Sequence, residues 1–207
     1  MRRFILRENI RRFEERLKTH EGAEPRGYLK AAIDAARSEL SALEHIWLKT
    51  CPEIGFSLST GEDCQDLLDH AVAAHRSAFG SLQIWNENCG HLSLVAQTNF
   101  DVNFTERFAV VKMNDGTVFA KAFGQGAPAL IADIQEADIG SDLSEWALVA
   151  GIRSICSYPI IAEGVSVGIY SLHFREPHQM LPADDVLVSS FSSRFAQLLS
   201  SARSSKG

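Results

Sequence analysis

Long apolar runs are missing from this 207-residue chain. None approaches the roughly 20 residues that cross a bilayer, so no membrane span is expected. A secretory leader is lacking too: Met1-Arg2-Arg3 has its basic start, but Phe4-Ile5-Leu6 runs at once into Arg7, Glu8 and Arg11. The expected location is therefore the cytoplasm. Cysteine is scarce, with only Cys51, Cys64, Cys89 and Cys156, no Cys-x-x-Cys pair and no framework spacing. Reduced thiols are expected rather than bridges. Positive charge is short in the greater part of the chain: residues 51–207 hold nine Lys/Arg against eighteen Asp/Glu, whereas residues 1–50 hold eleven against eight. An acidic main domain argues against nucleic acid as its partner, because phosphate contacts need a cationic surface. Walker, Ser-x-x-Lys and Gly-x-Ser-x-Gly sequences are absent. Nothing supplies a nucleophile with its base, so binding is expected over turnover, with neither enzyme activity nor cofactor.

Two helical seams are present before residue 50. Leu6, Ile10, Phe13 and Leu17 recur at coiled-coil spacing, and so do Leu29, Ile33, Ala36, Leu40, Leu43 and Trp47. Their phases do not join. The break falls at Gly22, Pro25 and Gly27, which predicts two helices over 1–50 folded as an antiparallel hairpin. A two-helix unit is too small to stand alone. It must pack on the main domain, on the same hairpin of a second subunit, or on a helix of another protein. The arginines that crowd the first helix read as a solvated face balanced by Glu8, Glu14 and Glu15.

The main domain spans 55–203. Residues 63–79 place Leu67, Leu68, Val72 and Ala73 on one helical face, and Gly80 stops the helix. Ser81–Asn86 alternates as a strand, turns at Asn88-Cys89-Gly90, and returns through Leu92–Ala96. Residues 101–110 and 116–123 read as short helices or lid segments, 127–134 as an apolar strand, and 144–150 as a short helix. Residues 151–178 then write a second hairpin about Glu163-Gly164, and a closing helix follows with Leu187, Phe191, Phe195, Leu198 and Ala202 on its stripe. The fold class is α+β.

That order, with SLQIWNENCGHLSLVAQTNF, DGTVFAKAFGQGAPALIADI and AGIRSICSYPIIAEGVSVGIYSLHFREPH as its marks, resembles a bacterial GAF domain over residues 63–200. The relatives it looks like stand ahead of sensor histidine kinases. The resemblance implies a GAF-like central antiparallel sheet of five to six strands, helices on one face and a lidded small-molecule pocket on the other. By the family's arrangement Val167, Ile169, Ser171 and His173 face the pocket with Ile155, Ser157 and Pro159, while Cys156 and Tyr158 face the helices. The lid would add aromatics, Phe104 and Trp146 among them. The ligand-contacting set implied is thus Ser157, Ser171, His173, Ile155, Ile169, Phe104 and Trp146. Specialised subfamilies fit less well. The Asn-Lys, Phe, Asp-Glu set of cyclic-nucleotide binders has no counterpart, and ADIGSDLSEWALVAG lacks the Cys-His pair of bilin binders. The sulfoxide-reducing members need cysteines about the lid, where this chain has Val118 and Ala120.

Other chemistry weighs less. Cys89-Gly90-His91 joins a thiol and an imidazole in a turn, but no complementary pair completes a zinc site. His70 and His75 lie five apart and are read as surface residues. Glu136, Asp138, Asp142 and Glu145 read as a solvated acidic loop rather than a cation site, and Gly124-Gln125-Gly126 as a helix cap. His173 is either a ligand contact or a core histidine satisfied by Ser171, a carbonyl or water. The expected function is a dimeric sensory module that binds a small molecule. It would act in trans on a histidine kinase or another signalling protein, since no output domain follows residue 203. Two alternatives stay open: a redox enzyme of the methionine sulfoxide reductase kind using Cys89 or Cys156, and a ligand-free interaction module.

Overall fold

A computed structural model describes residues 2–19, 26–50, 58–139 and 141–204. The chain forms two compact units, Met1–Lys49 and Thr50–Gly207. In the first, α1 (Arg2–Thr19) and α2 (Arg26–Thr50) are linked by an ion pair between Glu14 and Arg37 at 2.6 Å. Leu29, Ile33 and Ala36 of the second seam are buried. The side chains of Leu6, Leu40, Leu43 and Trp47, and the link carrying Gly22 and Pro25, lie outside the described residues, as does Cys51.

The second unit runs α3 (Leu58–Ala74), β1 (Phe79–Asn86), β2 (His91–Thr98), α4 (Val102–Arg107), β3 (Val110–Lys112) and α5 (Val118–Gln125). It continues with β4 (Ala129–Ile131), α6 (Ser141–Val149), β5 (Ser154–Ala162), β6 (Val165–Phe174) and α7 (Pro182–Ser204). Six strands form one sheet in the order β3-β2-β1-β6-β5-β4, and every pairing is antiparallel. The two hairpins foreseen are β1–β2 and β5–β6. Glu163 and Gly164 both take positive φ, 51° and 81°, the geometry whose twist suits a two-residue hairpin.

Successive side chains of a strand point to opposite faces, and the two faces here bury different company. On one, α3 and α7 cover Leu82, Ile84, Cys156, Tyr158, Ile160, Tyr170 and Leu172. Leu68, Ala71 and Val72 come from α3, and Phe191, Phe195 and Leu199 from α7. Burial of each large apolar side chain contributes about 1.5–3 kcal/mol. On the other face α4, α5 and α6 lie over Phe79, Ile155 and Ile169 and bring in Phe104, Phe108, Phe119 and Ala147.

Several elements differ from expectation. The strand expected over 127–134 is only three residues long, and β3 begins at Val110, the last residue of the first expected lid segment, and runs on through two residues with no expected element. Each is a single short edge pairing, too brief to show a period of two. Ala73 is exposed and Ala71 takes its inward place. In α7 Leu199, four residues after Phe195, is the deeper residue rather than Leu198. His75 is not a surface histidine: its ring packs on Tyr158 and Phe191, at 6.4 and 5.9 Å between centroids.

The pairing of β1 with β6 leaves no room at Gly168, where a Cβ would lie 2.7 Å from the Gln83 carbonyl oxygen. Gly168→Ala is expected to lower stability by about 1–3 kcal/mol in urea unfolding. An unchanged midpoint would contradict this register.

Candidate ligand site

Strand register sets three rows of side chains on the face under α4, α5 and α6. Phe79, His173, Ile155 and Ile131 stand opposite one another across β1, β6, β5 and β4. Ser81, Ser171, Ser157 and Ala129 form the next row, and Gln83, Ile169 and Pro159 the third. All the polar members are buried: Ser81, Gln83, Ser157, Ser171 and His173. Ser157 and Ser171 share a hydrogen bond of 2.8 Å between their hydroxyls, and the Gln83 amide donates to the Phe108 carbonyl at 3.2 Å. The Ser81 hydroxyl, the Gln83 side-chain carbonyl and both ring nitrogens of His173 have no hydrogen-bond partner.

Rings enclose His173. Phe100, Phe119 and Phe104 meet its imidazole edge-on, at 4.9, 5.8 and 6.1 Å between centroids. Phe100 stacks on Phe104 at 3.9 Å, and Phe104 meets Phe108 at 4.6 Å. Burial pushes the histidine from its ordinary 6.5 down to about 3, because an apolar surrounding penalises the charged form. The imidazole is neutral and offers one donor and one acceptor.

Local sequence explains how this lid is held. Asp101 caps α4 by accepting from the Phe104 amide at 2.8 Å, and Thr117 caps α5 by accepting from the Ala120 amide at 3.2 Å. Gly126 ends α5 with φ of 59°, so Gly124-Gln125-Gly126 is a cap and turn. Beside the aromatic layer is a cavity of about 30 Å³, well below the roughly 150 Å³ of an apolar cavity that takes benzene. Phe104, Phe108 and Phe119 line it with Ile152 and Ile155 of the sheet side, Ile139, Leu143 and Ala147 of the α6 side, and Gly116, Thr117 and Val118 at the start of α5.

Of the seven residues expected at the site, Phe104 and Ile155 line this cavity. His173, Ser157, Ser171 and Ile169 share its face of the sheet, with His173 directly behind Phe104 and Phe119. Trp146 stands apart. It is 37% exposed, because Leu143 and Ala147, four apart, set the inward line of α6 and Trp146 lies beside it. Ser81, Gln83 and Phe79 were missed. Polar residues alternating with Leu82 and Ile84 look like a solvent-facing edge, and only the lid helices make that face an interior.

The thiols lie elsewhere. Cys156 is buried on the α3 and α7 face, and desolvation pushes it up to about 11 despite a hydrogen bond from Tyr158. Cys89 is exposed in the β1–β2 turn. Among the described residues no group of His, Cys, Asp and Glu could hold a metal ion. No described helix is long and apolar enough to cross a membrane.

His173 carries a consequence for acid stability. Its native pKa lies below the 6.5 it has when unfolded, so its contribution is whole above that pH and is lost as pH falls towards 3. Half-buried His75, shifted the same way by desolvation, adds to the trend. Each pH unit in that window costs up to about tenfold in the folding equilibrium through His173. Urea unfolding at pH 7.5 and 5 is expected to show a smaller acid loss in His173→Leu than in the parent chain, and equal losses would place the imidazole in water.

No protein-family model matches the sequence, and no curated protein matches it. Solved structures do match in shape. A domain assigned to a two-component sensor histidine kinase from Sinorhizobium meliloti superposes with a TM-score of 0.62 at 16% identity, over 72% of this chain and 97% of that one. The GAF domain of a phosphoenolpyruvate-protein phosphotransferase from Coxiella burnetii gives 0.61 at 16% identity, over 78% and 95%. Free methionine-R-sulfoxide reductase from Neisseria meningitidis, solved with its substrate, gives 0.57 at 11% identity, over 70% and 81%. The second unit of this chain has the GAF fold.

Proposed function

We propose that this chain is a sensory or regulatory GAF module that binds a small molecule between its sheet and the α4–α6 lid. The observation that carries the reading is His173, fully buried in an aromatic cage with both ring nitrogens unpartnered. Buried polar groups nearly always have partners. One left over beside an aromatic-lined cavity is a group that a ligand can satisfy.

The signal would leave through the back of the sheet. Strand β6 presents Ile169, Ser171 and His173 to the lid side and Tyr170 and Leu172 to the helices. The Tyr170 hydroxyl donates to the Val188 carbonyl of α7 at 3.3 Å. A ligand that shifts β6 thus bears on α7 through two consecutive residues. Such a switch operates only if the ligand prefers one helix arrangement over another. Output would pass in trans, from a homodimer formed through helices, to a histidine kinase or another signalling protein. The kinase-derived domain among the structural neighbours favours that reading.

The reductase among the neighbours keeps an enzyme in view. Against it stand the raised pKa of Cys156 and its position across the sheet from the cavity, since the thiolate is the reacting form. For the module, hydrogen exchange with and without a stabilising small molecule is expected to change protection in α7 as well as in α4 and α5, on a protein that sediments as a dimer. Changes confined to the lid would remove the signalling route.

A further inference from the structure

The pocket's chemistry narrows what it takes. Its walls join the rings of Phe104, Phe108 and Phe119 to aliphatic side chains, Ile139, Leu143 and Ile152 among them. Thr117 brings the one polar side chain to that lining, and its hydroxyl is already engaged as a helix cap. Neither lysine nor arginine lines the cavity, and no carboxylate does. The nearby guanidiniums are turned to other work: exposed Arg107 lies over the Phe108 ring at 5.4 Å and exposed Arg175 over Phe79 at 4.8 Å. An anion would find no countercharge here, and the same surroundings that keep His173 neutral would penalise its burial.

Size argues in the same direction. The cavity of about 30 Å³ is well below the roughly 150 Å³ of an apolar cavity that takes benzene, so a ring-sized guest must turn Phe104 or Phe119 aside. Those two rings separate the cavity from His173, and moving either opens the way to it. The ring contacts they leave, a stack on Phe100 for Phe104 and edge-on contacts for Phe119, are best replaced by another ring, since aromatic pairs gain beyond simple area burial. The unpartnered imidazole nitrogens, with the Ser81 hydroxyl of the adjacent row, then supply hydrogen bonds to a polar substituent.

We propose that the ligand of this pocket is a compact, uncharged aromatic molecule with one hydrogen-bonding substituent, of the class represented by phenol, which stacks in place of the displaced phenylalanine ring and hydrogen-bonds to His173. This inference rests on the pocket reading above.

Phenol, benzene and benzoate serve as probes at pH 7, with binding read by calorimetry and by the concentration dependence of Tm. Phenol is expected to bind and benzoate not. Phe119→Ala, which joins the cavity to the histidine, is expected to bind phenol more tightly than the parent. His173→Phe is expected to weaken phenol by up to about tenfold, the worth of one hydrogen bond, with benzene changed much less. No phenol binding by either the parent or Phe119→Ala overturns the ligand class, as does an unchanged phenol affinity in His173→Phe. Benzoate binding as well as phenol overturns it too, while leaving the pocket reading intact. Silence from all three probes, together with no small molecule retained in native mass spectra, removes both. Should His173→Phe fail to fold, the comparison of phenol with benzoate on the parent and on Phe119→Ala decides alone.

Discussion

The register of β6 between β1 and β5 is the constraint on which the remainder of the domain depends. Antiparallel pairing seats Phe79, His173 and Ile155 in one row and Ser81, Ser171 and Ser157 in the next. The intervening residues Gly80, Leu172 and Cys156 then face α3 and α7. A slip of one residue would exchange the two sets, placing Tyr170 under the lid and a histidine against the helices. Two close approaches hold the register. Gly168 lies against the Gln83 carbonyl, and Gly80 lies under Val72 and Leu68 of α3. A side chain at either position would force the sheet or the helix to move.

That register also joins the two faces into one device. Polar side chains are interred on the lid side at a cost, and that cost is offset by the dense apolar contacts of the back, where Tyr158 and Tyr170 stack at 5.1 Å and Tyr170 meets Phe195 at 5.2 Å. Buried polar groups without partners are rare in interiors and recur where function needs them. Here they lie behind phenylalanine rings rather than within a closed aliphatic core. The lid over them is made of α4 and α5, short helices fixed at their starts by Asp101 and Thr117.

Much of this was legible in residues 151–178. Alternation through Val167, Ile169 and Ser171, with the Glu163-Gly164 turn, specified a hairpin and its two sets of side chains, while the resemblance to GAF domains implied which set lies under the lid. The closing helix stripe passes through Leu198, one position short of the deeper Leu199, a small error in phase. What escaped was tertiary. Ser81 and Gln83 carry no mark of burial in a strand that alternates with Leu82 and Ile84, and only the covering helices remove them from water. Trp146 was drawn inward by its size, whereas Leu143 and Ala147 orient α6. His75, five residues from His70 and so on a different face, gave no sign of its partners, and the rings that receive it come from β5 and α7. Short edge pairings such as Val110–Lys112 owe their existence to a neighbouring strand and leave almost no periodic trace.

The central claim is a neutral, enclosed His173, and its ring nitrogens report on it directly. Long-range proton–nitrogen correlation spectra of the native protein, recorded from pH 7.5 down to the onset of acid unfolding, are predicted to show one histidine fixed in a neutral tautomer with no titration. A His173 signal that titrates near 6.5, as an imidazole in water does, would contradict the enclosed site and the account built upon it.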